Sequence, residues 1–198
     1  MSIAAAVLAA GLGSRFAGDV AKPLALLNGR PLVAWALDAA IASGLMPTLL
    51  VVGSHAPEIA EAAPRGVQVV TAALSELGIS HSLHAAVDAL EGQGEVTATC
   101  IGLADQPRVG AEAFRRLAHA HADGADFAVA TYAGERGNPV LLGRNVWAAA
   151  RRLTGDVGAR ALMGEHEVVE IDCTDTGSPR DVDTLEDLRA LEEEMGRP

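Results

Sequence analysis

The chain has 198 residues, 49% of them hydrophobic and 3% aromatic, with a formal net charge of −11. Such a length buries the core of one domain, here expected over residues 1–198, and few aromatics leave Ala, Val, Leu and Ile to fill it. The negative charge argues against long nucleic acid as a partner, and no run of about 18 apolar residues is present to span a membrane.

Residues 2–10 are apolar, lack a basic flank and run into a glycine-rich turn, which reads as a first strand rather than a signal peptide. Further strands are expected over 48–53, 67–71, 97–103, 127–132 and 168–173. Helical spacing separates them: Leu32, Trp35, Ala36 and Ala39, then Leu83, Ala86, Val87 and Leu90, then Phe114, Leu117, Ala118 and His121. Pro31 suits a first helical turn. Thr184 and Asp187 read as a capping box opening a last helix through Leu188, Leu191 and Met195. Strands alternating with helices imply a mostly parallel sheet covered on both faces, a Rossmann-like three-layer α/β/α fold. The cysteines, Cys100 and Cys173, are far apart and in strand-like runs, so neither a disulfide framework nor a zinc site is expected, and a reducing cytoplasm is.

Ligands in such folds gather beyond the carboxyl ends of strands. The first such loop reads Leu8-Ala9-Ala10-Gly11-Leu12-Gly13-Ser14-Arg15-Phe16. Its glycines let backbone N–H groups approach an anion. A dinucleotide fingerprint would need glycine at Phe16, and a Walker loop would need Lys and Ser/Thr at Asp19 and Val20. Lys22 is the only lysine, against 14 arginines, which suggests a site that wants a compact ammonium. Asp105, between a strand and Pro107, is placed to hold Mg²⁺ against a phosphate; as an isolated residue it also reads as a turn aspartate. Ser80 and Ser82 open a helix and suit capping as well as ligand contact. His81 and His84 have no metal-ligand spacing around them and read as surface residues.

The segment LAAGLGSRF followed by Lys22 resembles the N-terminal signature of the MobA/MocA-like nucleotidyltransferases. LADQP at Asp105, GISHSL at Gly78, RGNPV at Arg136, GDVGAR at Gly155 and DVDT at Asp181 resemble further segments of that family in the same order. The resemblance implies a nucleotidyltransferase (GT-A-like) fold with a mixed sheet. It assigns Ala9, Ala10, Gly11, Leu12, Gly13, Ser14, Arg15 and Lys22 to the triphosphate, with Arg15, Lys22 and Asp105 catalytic. Gly78, Ser80 and Ser82 fall beside the base and ribose, and Arg136, Asn138 and Arg160 face the acceptor. Magnesium falls to Asp105 and Asp183, with Asp181 the other candidate in the last segment, where Leu185 replaces the family's usual proline. Ala10, where the guanylyltransferase branch carries glycine, favours CTP. The implied reaction moves CMP to molybdopterin, a phosphorylated cofactor precursor, in service of a molybdenum hydroxylase. Alternatives are a guanylyltransferase, another cofactor-precursor nucleotidyltransferase, or a nucleotide-binding delivery protein without chemistry.

Overall fold

The computed structural model describes residues 1–11, 16, 20–53 and 56–196. Its strands are β1 (Ser2–Leu8), β2 (Leu26–Leu27), β3 (Arg30–Pro31), β4 (Thr48–Val52), β5 (Gln68–Thr71), β6 (Val96–Leu103), β7 (Phe127–Tyr132), β8 (Glu135–Gly143) and β9 (Val169–Asp172). Its α-helices are α1 (Leu32–Ala42), α2 (Ala56–Glu61), α3 (Ile79–Glu91), α4 (Ala111–Ala122), α5 (Trp147–Ala150) and α6 (Leu185–Met195). Among the described residues, seven strands form the main sheet in the order β5-β4-β1-β6-β8-β7-β9. β8 is antiparallel to both neighbours, and the other pairings are parallel. No helix among the described residues is long and apolar enough to cross a membrane.

The pleat of β1 sorts its residues between two cores, since successive side chains point to opposite faces. Ala4, Ala6 and Leu8 join Leu83, Ala86, Val87 and Leu90 of α3 and Trp147 of α5 on one face. Ala5, Val7 and Ala9 join Val33, Ala36 and Leu37 of α1 and Phe114 and Leu117 of α4 on the other. Fully burying a Phe or Leu of this kind stabilises the fold by about 1.5–3 kcal/mol, so the two layers carry most of the apolar driving force. A smaller cluster seats Leu188 and Leu191 of α6 against Leu27 and Leu32. The capping box is present: Thr184 Oγ1 accepts from the Asp187 N–H at 3.1 Å, and Asp187 accepts from the Thr184 N–H at 2.9 Å.

Two expectations change. Helix α1 buries Leu32, Val33, Ala36, Leu37 and Ala40, while Trp35 and Ala39 are only partly covered, so its inward face is rotated from the spacing read above. Residues 136–140, which fall in none of the strands expected above, lie inside β8. The hairpin that creates β8 turns on Ala133 and Gly134, both at positive φ (51° and 86°), between paired Tyr132 and Glu135. Two such residues give the twist a two-residue hairpin needs. Pro139 has no N–H to give, and the β7–β8 register shifts between Val129 and Thr131 beside it.

Candidate active site

Strands β1 and β6 end together, Leu8 opposite Leu103, and the Ala104 N–H donates to the Leu8 carbonyl at 3.0 Å. The two following loops therefore leave the sheet side by side, and Ala9, Ala10, Gly11 and Asp105 line one cleft of about 410 Å³. A short 3₁₀ turn, Lys22–Leu24, delivers the lysine to the same cleft. Lys22 Nζ lies 2.7 Å from Asp105 Oδ2 and 2.7 Å from Asp183 Oδ1. Burial pulls the ammonium towards its neutral form, but the two carboxylates more than offset this and hold its pKa above the ordinary lysine value.

The backbone and Gln106 bring Asp183 here from the far end of the chain. The Val182 N–H donates to the Asp105 carbonyl at 2.9 Å. Gln106, buried beside Asp105, donates through Nε2 to the Pro179 carbonyl and to Asp181 Oδ1, both at 2.8 Å. Its Oε1 accepts from Asn138 Nδ2 at 3.1 Å, so both N–H donors and one of the two acceptor positions of the amide are committed within the fold. Burial and then the charge of Asp105 raise the Asp181 carboxyl above the usual range, with the Gln106 bond opposing. Gln106 was quoted above only as part of a motif. A glutamine following a strand-end aspartate was the available signal, and its partners lie 73 and 75 residues away.

Asp105 Oδ1 is buried with no hydrogen-bond partner. Leaving such an oxygen bare costs roughly 1–3 kcal/mol, more for an ionised group, so the position fits a cation that arrives with the substrate. Among the described residues no three His, Cys, Asp or Glu side chains sit close enough to hold a metal alone. That composition suits magnesium, which takes one or two carboxylates and completes its shell with phosphate oxygens and water.

The other end of the cleft is formed by residues 75–79, Ser82 and Asp156. Gly78 sits at φ 124° ahead of α3, a conformation that side-chain-bearing residues avoid. A Cβ there would also stand 2.1 Å from the Gly155 carbonyl carbon. Neither serine caps the helix. Ser82 lines the cleft, whereas Ser80 is fully buried and its hydroxyl donates to the Gly155 carbonyl at 2.8 Å.

A second, smaller cleft of about 240 Å³ adjoins the first and shares Leu8, Ile79 and Leu103 with it. Its floor is apolar, with Leu83, Ile101 and Val140, and its polar groups are Gln106, Asn138, Arg160 and Asp181. Arg136 lines neither cleft: its guanidinium pairs with Glu170 of β9 at 2.6 Å. His81 and His84 stack edge to face on α3, with centroids 5.4 Å apart, and line neither cleft. A wider void of about 780 Å³ lies between α4 and β9 at the amino end of β7, away from the loops that carry the charged residues. Leu12, Gly13, Ser14 and Arg15 lie outside the described residues.

Comparison with known proteins agrees with this architecture. The family profile described as "MobA-like NTP transferase domain" matches residues 5–170. The bifunctional protein GlmU of Geobacter metallireducens is 39% identical over 146 residues, covering 72% of this chain and 29% of its own length. The chain thus spans less than a third of that relative. The crystal structure of Rv0371c from Mycobacterium tuberculosis superposes with a TM-score of 0.82 at 30% identity, covering 98% of both chains. A second structure of Rv0371c, in complex with manganese, gives 0.81. Molybdopterin-guanine dinucleotide biosynthesis protein A from Archaeoglobus fulgidus gives 0.75 at 17% identity over 97% of this chain and 98% of its own, a likeness of fold.

Proposed function

Because the chain belongs to the MobA-like NTP transferase family, we propose that it transfers CMP from CTP to the terminal phosphate of molybdopterin and releases pyrophosphate. The observation that carries this reading is that Lys22, paired with both Asp105 and Asp183, lines one cleft together with Asp105 and residues 9–11 of the first loop. Cation, carboxylates and loop amides are what a triphosphate requires.

The acceptor phosphate attacks the α-phosphorus in line. A new P–O bond forms there while the bond to the β-phosphate oxygen breaks, and pyrophosphate leaves with that electron pair. The second pKa of a phosphate monoester is near ~6, so the nucleophile is largely dianionic at neutral pH and needs no general base. This accords with clefts that no histidine lines among the described residues. Lys22 balances charge on the triphosphate, and Arg15 is assigned the same task by the family pattern. Asp105 and Asp183 would hold a divalent cation. When bound, that cation neutralises phosphate charge and orients the α-phosphate. A manganese complex of the similar Rv0371c supports a divalent site in this fold.

Two features favour the specific substrates. Ala10 lines the nucleotide cleft at the position where the guanylyltransferase branch of the family carries glycine. The smaller cleft has an apolar floor, and both N–H donors of its Gln106 amide are already committed to Pro179 and Asp181. A heterocycle carrying one phosphate would lie on that floor, with its polar edge towards Asn138 and Asp181 and its phosphate towards an anion partner such as Arg160. Pyrophosphate release from CTP, GTP, ATP and UTP, each with and without molybdopterin, tests the reading. Release that needs both CTP and molybdopterin is the expected result. Release with GTP alone among the nucleotides moves the assignment to guanylyl transfer, and saturable CTP binding without release points to a delivery protein.

A further inference from the structure

The segment 155–160 forms a wall of both clefts: Asp156 lines the larger, and Gly158, Ala159 and Arg160 line the smaller. It belongs to no helix or strand until the 3₁₀ turn at Ala159–Gly164, so the chain around it supplies little of its own rigidity. Its start is fastened to the first turn of α3. The Gly155 carbonyl accepts two bonds from one residue, from the Ser80 N–H at 3.3 Å and from the Ser80 hydroxyl at 2.8 Å. Gly78 allows this approach, because a Cβ there would overlap the Gly155 carbonyl oxygen at 2.2 Å and the Asp156 nitrogen at 2.5 Å. Ser80 is wholly buried and lines neither cleft, so its hydroxyl has no route to a substrate.

We infer that Ser80 is a positioning residue for the acceptor: by holding Gly155 it sets the wall that presents Arg160 to the smaller cleft and Asp156 to the larger. The serine thus acts on the reaction through a segment 75 residues away. This rests on the reading above that the larger cleft takes the nucleotide and the smaller the acceptor. Helix α3 does not depend on the hydroxyl, since alanine is the best helix former and Ser80 caps nothing. The main-chain bond to Gly155 also survives the change, so Ser80→Ala loosens the wall without removing it.

Ser80→Ala is expected to raise the KM for molybdopterin roughly 5–10-fold, the worth of one buried hydrogen bond. The kcat should stay within about threefold, since Lys22 and Asp105 are untouched. The KM for CTP should rise less than that for molybdopterin, since Asp156 is the one residue of this wall that lines the larger cleft. Limited trypsin digestion supplies a readout independent of substrate identity. Cleavage after Arg160 should speed up roughly 5–10-fold in Ser80→Ala, while cleavage after the exposed Arg65 stays constant. Gly78→Ala attacks the same contact by crowding and should speed cleavage after Arg160 more strongly; because Gly78 also lines the nucleotide cleft, this variant is read by proteolysis alone. Unchanged cleavage after Arg160 overturns the inference, and so does faster cleavage at Arg65 and Arg160 alike, which would mark general loss of stability. If the unaltered protein turns over no CTP with molybdopterin, the substrate reading fails, while the ratio of the two cleavages still decides the role of Ser80.

Discussion

The two adjoining clefts recognise by opposite means. The larger is charged: a lysine held by two aspartates sits in a cleft lined by the loops that follow β1 and β6. The smaller has an apolar floor and an Asn138–Gln106 amide pair joined by one hydrogen bond, with Arg160 in its lining. Charge neutralisation suits any nucleoside triphosphate, so the first cleft supports the reaction class. Under the proposed function, shape and one anion partner would discriminate among acceptors in the second cleft, which would then decide the product.

The charged side is where the largest loss is expected. Lys22→Ala and Asp105→Ala should each lower turnover by about 10²–10³-fold, with far-ultraviolet circular dichroism unchanged. A purified variant that keeps near-normal turnover would show that the two clefts do not divide the work in this way. On the apolar side, Arg160→Ala should raise the acceptor KM about tenfold and leave the KM for CTP alone. Arg136→Ala is the sharper control. The same motif reasoning placed it on the acceptor, yet it pairs with Glu170 on the exposed surface, and such pairs contribute little. Both KM values should stay within about twofold, and a clear rise in the acceptor KM would return Arg136 to the site.

The smallest effect concerns how Asp183 is held. The Asp187 carboxylate accepts from the N–H groups of Asp183 and Thr184 at 3.2 and 2.9 Å. The Thr184 hydroxyl is the main reason its carboxyl lies below the ordinary value of 3.8, with burial opposing and the two N–H groups adding to the effect. A lowered folded-state pKa means the unfolded chain binds the proton more readily. The stabilisation is therefore present above the ordinary value and is lost as pH falls through the folded one. Asp187→Asn should lower Tm by about 2–4 °C at neutral pH, and the gap should close below about pH 3. A gap that persists in acid would mean that packing, not the carboxylate, accounts for it.

Much of the fold was legible because hydrophobic spacing is a local signal. Residues 127–132 read as a strand and form β7, and Leu83, Ala86, Val87 and Leu90 are the buried face of α3. The capping box at Thr184 was legible for the same reason, since both partners lie within one turn. Strand β8 was not, because Gly137, Asn138 and Pro139 are residues that turns also prefer, and Ala133 is an unusual choice for a hairpin turn. The meeting of Asp105 with the first loop followed from the rule that ligands gather at strand carboxyl ends. The lysine's placement between Asp105 and Asp183 did not, since Asp183 arrives through Gln106 and the Val182 N–H.

The amino-acid order alone determined the alternation of strands and helices, the two-faced core and the family, because each rests on spacings of a few residues or on motifs in series. Only the tertiary structure decided which polar side chains are available to a ligand. Ser80 and Gln106 both suit ligand contact by residue type, yet each is buried and donates to a partner more than 70 residues distant. A buried polar group must find such a partner wherever the fold provides one, and no local pattern of residues encodes where that will be.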